Sequence, residues 1–132
     1  MRVIVDTSVW SLALRRKKKS EGTAVQKLHT LIAHGERIFL PGLILQELLQ
    51  GIQQASQVQK LIHTMEGFPL LEPTREDYVA AAELRNLCNQ KGVQAGTIDF
   101  LIAALCLKYD CRLLTSDNDF VRIAKHCKLQ LL

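Results

Sequence analysis

Five acidic side chains in this sequence are placed where they could hold a divalent metal ion. Asp6, Asp117 and Asp119 follow predicted strands, Asp99 lies in the first turn of a predicted helix, and Glu47 lies within the helix that begins at Pro41. Oxygen ligands of this kind favour Mg²⁺ or Mn²⁺ over zinc. Carboxylates gathered at one sheet edge would repel one another by about 3 kcal/mol per pair at ~5 Å and an effective dielectric near 20. We therefore expect such a cluster to need a bound cation.

Each acid also has a purely structural interpretation. Asp99 and Asp119 could stabilise helix N-termini through the helix dipole, and Ser116 with Asp119 could form a capping box. Glu47 could be a solvated surface glutamate. Asp6 is harder to explain in this way, because a carboxylate beside a buried strand costs free energy unless it is paired or bound to a metal.

Other catalytic arrangements are missing from the sequence. It contains no G-x-S-x-G, P-loop or G-x-G-x-x-G motif, and none of its four histidines stands beside a residue that we single out as a catalytic nucleophile. The four cysteines include no close pair of the kind that binds zinc, so we expect reduced and mostly buried thiols.

Short apolar strands alternate with helices along the chain and must position the acids. The predicted strands cover residues 2–5, 37–40, 69–72, 112–115 and 128–131. Helical periodicity falls between them, and Thr74 with Asp77 predicts a capping box. This alternation is typical of an α/β domain with a mostly parallel sheet, which binds ligands beyond the carboxyl ends of its strands.

Length and composition limit the class of protein. The 132 residues predict one domain, and 48% hydrophobic with 23% charged residues is typical of a globular chain rather than a disordered one. The longest apolar run, residues 100–107, is too short to span a membrane, and no secretory signal precedes Asp6. We therefore expect a cytoplasmic protein with no membrane association.

The net charge of +4 includes a block of five consecutive basic residues: Arg15, Arg16, Lys17, Lys18 and Lys19. A block of this kind is usually a solvated loop. It could also contact a nucleic-acid backbone, where counterion release favours binding. Charge alone does not decide between these interpretations.

Four segments of the chain together resemble the motifs of PIN-domain nucleases, in the order and spacing of VapC-like toxins of type II toxin–antitoxin pairs. The first is Asp6-Thr7-Ser8-Val9-Trp10, and the others cover residues 41–51, 96–104 and 113–120. The resemblance spans nearly the whole chain. Four motifs in register make it a specific signal, whereas Asp-Thr-Ser alone would be a weak one.

The resemblance implies a single PIN domain over residues 1–132. Its fold would be a three-layer α/β/α arrangement with a central five-stranded parallel sheet in the order 3-2-1-4-5. Strands one and four would be neighbours at the topological switch point, where a crevice opens. The family implies a Mg²⁺-dependent endoribonuclease (with Mn²⁺ as an alternative ion), an RNA substrate, an antitoxin partner and a homodimer.

Roles for individual residues follow from the resemblance and from metal-ion chemistry. Asp6, Asp99 and Asp117 would hold the metal ion, which activates a water molecule that Glu47 orients or deprotonates. The supporting residues would be Ser8, Thr115 and Asp119, and the candidates for RNA contact are Arg15 to Lys19. Asp117 and Asp119 compete for the place of the fourth acid, and we favour Asp117 because it is nearer the strand end.

Two other functions fit parts of the pattern. A receiver-like phospho-acceptor module also gathers acids at strand ends, but the strand after Arg37 ends in Leu40-Pro41 with no acid. A catalytically silent PIN-like domain could bind RNA or a partner without cutting, although all four acids are present. Incubation with acetyl phosphate tests the receiver-like function, and incubation with RNA plus Mg²⁺ distinguishes a nuclease from a silent binding module.

Overall fold

The computed structural model describes residues 1–14 and 22–132 and shows an α/β fold. The strands are β1 (Arg2–Val5), β2 (Arg37–Pro41), β3 (Leu70–Leu71) and β4 (Arg112–Leu114). The helices are α1 (Thr7–Leu14), α2 (Thr23–Ala33), α3 (Gly42–Leu49), α4 (Ala55–Met65), α5 (Arg75–Gln90), α6 (Thr97–Tyr109) and α7 (Asn118–Ala124). None of these helices is both long and apolar enough to cross a membrane. The basic block at residues 15–19 lies outside the described ranges.

The sheet is parallel, with its strands in the order β3-β2-β1-β4. Val3, Ile4 and Val5 of the central strand β1 are all fully buried. Successive side chains of a strand point to opposite faces, so both faces of the sheet are covered. These findings confirm the predicted class of fold and the predicted order of the first four strands.

The predicted fifth strand is reduced to a single bridge in the described part of the chain. Leu131 pairs in parallel with Leu113, flanked by two backbone hydrogen bonds of 2.9 Å. The C-terminal segment thus lies beside β4, where the order 3-2-1-4-5 puts it, but the expectation of five strands is corrected to four. The reason is length: β4 spans only three residues, so there is little ladder for the last residues to extend.

Helix α6 is the central helix, because its residues 100–106 are all buried. It packs against α5, whose first turn closes with the predicted capping box between Thr74 and Asp77. Lys108 of α6 forms an ion pair of 3.0 Å with Asp77, a carboxylate that is 2% exposed. Burial alone would raise the pKa of Asp77, but hydrogen bonds from Thr74 and Lys108 outweigh burial, and its pKa is lowered. This ion pair, between a buried carboxylate and an exposed lysine, joins the last turn of α6 to the first turn of α5.

Candidate functional site

Asp6 stands at the carboxyl end of β1 and is 8% exposed. Its backbone N–H continues the sheet by donating to the carbonyl of Leu114 at 2.9 Å. Its side-chain Oδ2 accepts hydrogen bonds from Ser8 Oγ at 2.7 Å and from Thr115 Oγ1 at 2.9 Å. Its Oδ1 has no hydrogen-bond partner in the described ranges, and that oxygen is therefore left for a ligand.

The two hydroxyls also hold the turn that follows β4. Ser8 Oγ accepts from the backbone N–H of Ser116 at 3.2 Å, and Thr115 Oγ1 accepts from that of Asp117 at 3.0 Å. Each hydroxyl accepts a hydrogen bond from a backbone N–H of the turn, so its own proton points towards the Asp6 carboxylate. The motif after β1 and the motif after β4 are thereby joined across more than 100 residues.

Helix α7 begins with Asp117 as its N-cap. Asp117 Oδ1 accepts from the backbone N–H of Asp119 at 2.9 Å, and Asp119 in turn forms an ion pair with Arg122. The expected capping box of Ser116 with Asp119 is therefore wrong. The Asp117 carboxylate occupies the N-cap position instead. The Ser116 N–H donates its hydrogen bond to Ser8 Oγ.

Three carboxylates form a tight group at this edge. Asp99, Asp117 and Asp119 each contribute an oxygen that lies within 4.8 Å of the other two. The pKa of Asp99 is raised to about 6, mainly by burial. A hydrogen bond from the Gly96 N–H lowers this pKa, and the negative charges of Asp117, Asp6 and Asp119 raise it further. Within residues 1–14 and 22–132, Arg122 is the one cation that forms an ion pair with these three carboxylates.

This donor set fits a divalent cation. All three groups that would bind it are carboxylates, and each residue is only half-buried, so solvent and a further ligand could reach an ion held there. The sequence predicts Asp6, Asp99 and Asp117 as the metal ligands, whereas the tight group contains Asp119 and not Asp6. Asp6 is the next carboxylate, joined to the group through Thr115 and close enough for its charge to act on Asp99.

Glu47 approaches from α3. Thr7 Oγ1 donates a hydrogen bond of 2.6 Å to Glu47 Oε1, which brings this glutamate beside the residue that follows Asp6. Thr7 was not singled out from the sequence, since the two residues are 40 positions apart. The pairing of Arg122 with Asp119 was also missed, although an acid and a base three residues apart on a helix are a visible signal.

The sequence of the chain matches a known family and known relatives over most of its length. The family model described as the PIN domain matches residues 3–126. VapC ribonuclease Mb1587 of Mycobacterium bovis and ribonuclease VapC11 of Mycobacterium tuberculosis are each 29% identical over 130 residues, which cover 97% of this chain and 96% of the relative.

Solved structures share the fold. VapBC2 from Rickettsia felis, solved bound to a DNA fragment from its promoter, aligns with a TM-score of 0.80 at 20% identity, covering 100% of this chain and 98% of the other. VapBC-1 from nontypeable Haemophilus influenzae aligns with a TM-score of 0.78 at 19% identity, covering 100% and 97%.

Proposed function

The chain belongs to the PIN-domain family, and we propose on that premise that it is a metal-dependent endoribonuclease, the toxin of a type II toxin–antitoxin pair. The observation that carries the proposal is the group of half-buried carboxylates beside Asp6 at the carboxyl edge of the sheet. Two relatives of nearly equal length are named as ribonucleases, and two neighbours in fold are VapBC assemblies.

The proposed ion is Mg²⁺, with Mn²⁺ as the alternative, held by Asp6, Asp99 and Asp117. A bound Mg²⁺ lowers the pKa of a water ligand and neutralises charge on the phosphate. Asp6 offers its free Oδ1, because Ser8 and Thr115 both bind Oδ2. Asp119 supports the site as the third carboxylate of the tight group with Asp99 and Asp117, and Arg122 pairs with it.

Glu47 is the proposed general base. The hydrogen bond from Thr7 occupies Oε1 and leaves Oε2 for the attacking water. As the water oxygen bonds to phosphorus, its proton passes to Glu47, and the bond from phosphorus to the 3′-oxygen breaks. The departing 3′-oxygen takes a proton from solvent, so the products carry a 5′-phosphate and a 3′-hydroxyl.

RNA cleavage tests this function directly. Purified protein incubated with total RNA and Mg²⁺ is expected to create new 5′-phosphate ends at defined positions, mapped by ligation and sequencing. Glu83→Gln changes an exposed acid of α5 and should leave the pattern intact. RNA that binds without being cut would favour the catalytically silent alternative, and label transferred from acetyl phosphate would favour a receiver-like module.

The basic block, Arg15 to Lys19, is proposed to hold the RNA backbone beside the crevice. Changing all five residues to Ser should weaken RNA binding and flatten the slope of log affinity against log salt by about one to three units, since each neutralised phosphate contributes about −0.7 on single strands. Fluorescence anisotropy over ~50–200 mM salt measures the slope. A slope equal to that of the unchanged protein would end the RNA-contact hypothesis.

Several wider features belong to the same proposal. The antitoxin partner, the homodimer and the cytoplasmic location are inferred from the toxin assignment. The assignment of residues 1–132 to one domain is supported by the family match over most of this range.

A further inference from the structure

Each of the three adjacent strands β2, β1 and β4 begins with an arginine. Arg37, Arg2 and Arg112 are the first residues of these strands. Arg2 is the register partner of Arg37, and Arg112 is the register partner of Val3. Arg2 and Arg37 therefore stand side by side, and Arg112 stands one residue further along the next strand; these three arginines at the sheet edge opposite the carboxylate group are here called the amino-edge cluster.

The amino-edge cluster lines an open surface depression of about 570 Å³, together with the equally exposed Met1, Asp110 and Gln130. This size lies within the range of ~300–1,000 Å³ that ligand pockets usually have. The charged side chains around it are three guanidinium groups and one carboxylate, which leaves an excess of two positive charges. The depression is therefore suited to an anion.

Most of the hydrogen-bond donors of the cluster are free in the described part of the chain. The side chains of Arg37 and Arg112 make no hydrogen bond or ion pair there, and Arg2 uses Nη1 to reach the Tyr109 carbonyl at 2.8 Å. Asp110 is not paired with any of the three. Each guanidinium has five N–H donors, so the cluster can offer several to one ligand.

We propose that the amino-edge cluster is a binding site for phosphate groups. A planar guanidinium donates two parallel N–H bonds to phosphate oxygens, and bound negative charge relieves the repulsion among three neighbouring cations. The contact of Arg2 with Tyr109 holds one guanidinium in place before the ligand arrives. The phosphate belongs either to an RNA backbone, which rests on the proposed function, or to a free phosphate compound.

Phosphate binding is tested by NMR of arginine side-chain Nε–Hε signals during titration with inorganic phosphate at constant ionic strength. Signals of the amino-edge cluster should shift and saturate, and those of Arg75 and Arg85 on α5 should not. The double variant Arg37→Ser/Arg112→Ser should weaken the response of Arg2 by at least about tenfold, on the scale of two lost charge-assisted hydrogen bonds. Arg75→Ser/Arg85→Ser removes the same charge elsewhere and should leave the response unchanged.

A second measurement identifies the source of the phosphate. In the Asp99→Asn background, which prevents cleavage, the salt slope of single-stranded RNA binding should flatten by about 1.4 with Arg37→Ser/Arg112→Ser if the backbone is the ligand. Saturable phosphate binding with an unchanged RNA slope assigns the site to a free phosphate compound. Shifts that do not saturate, or that are equal in all arginines, overturn the site. Saturable binding in a protein that cuts no RNA keeps the site and refutes only the proposed nuclease.

Discussion

Asp99→Asn and Asp6→Asn are each expected to reduce RNA cleavage by at least about 10³-fold, a loss of about 4 kcal/mol of transition-state stabilisation. The reason is the loss of a charged ligand at the proposed metal site, with the side chain's shape kept. Asparagine at position 6 can still accept hydrogen bonds from Ser8 and Thr115 through its carbonyl oxygen. Initial rates on a defined RNA measure the effect, and Glu83→Gln serves as the exposed control.

The same Asp99→Asn change should increase stability when metal is removed. The pKa of Asp99 is raised to about 6 in the folded protein, so the folded state binds more protons than the unfolded state between about pH 4 and pH 6. The free energy of unfolding therefore falls as pH rises through this window in the unchanged protein and not in the variant. Above pH 6.5 the variant should be more stable by about 1–2 kcal/mol, allowing for solvent screening.

Denaturant unfolding in EDTA at pH 4 and pH 7 measures this difference, which should be close to zero at the lower pH. Near-normal cleavage by well-purified Asp99→Asn would defeat the assignment of the site. A stability difference that is the same at both pH values would show that repulsion and burial at Asp99 are not the cause.

Chelation is expected to abolish cleavage completely, and Mg²⁺ or Mn²⁺ should restore it. Asp99, Asp117 and Asp119 bring together carboxylate oxygens within 4.8 Å and offer no nitrogen or sulfur ligand. Zn²⁺ should therefore have no advantage over Mg²⁺ or Mn²⁺ in restoring cleavage. Titration of a dialysed protein with each ion, followed by an RNA assay, measures the effect.

Thermal unfolding gives an independent control for metal binding. An ion that binds only the folded chain raises Tm, so Mg²⁺ should stabilise the unchanged protein and have little effect on Asp99→Asn. Persistent cleavage in excess EDTA would instead indicate a reaction that needs no metal.

Parallel strands impose a simple rule that predicts which acids lie at the same end of the sheet. Asp6 and Asp117 both follow strands whose carboxyl ends share an edge, and the short apolar runs before them are visible in the sequence. The membership of Asp119 in the tight group was harder to predict, since it depends on how α7 begins. Asp117 caps that helix itself, and this turn brings the neighbouring carboxylate back towards Asp99.

Contacts between distant segments set the limit of sequence reasoning. Nothing local relates Thr7 to Glu47, because their hydrogen bond depends on how α3 packs against the start of α1. The C-terminal strand was overestimated for a related reason. Its composition favours a strand, but the ladder that it could extend is only as long as the three residues of β4.

The central position of β1 has a consequence for how the protein is made. Val3 pairs with Arg112, and the Asp6 carboxylate binds Thr115, so the first strand of the chain is completed by one of the last. A ribosome releases the N-terminal residues first, and pairings of such long sequence separation form slowly because of their loop-closure entropy. The carboxylates can therefore assemble only after the residues up to Asp119 have emerged. A nascent chain that has not yet reached Asp117 and Asp119 lacks part of this group, so translation itself delays the appearance of an active nuclease.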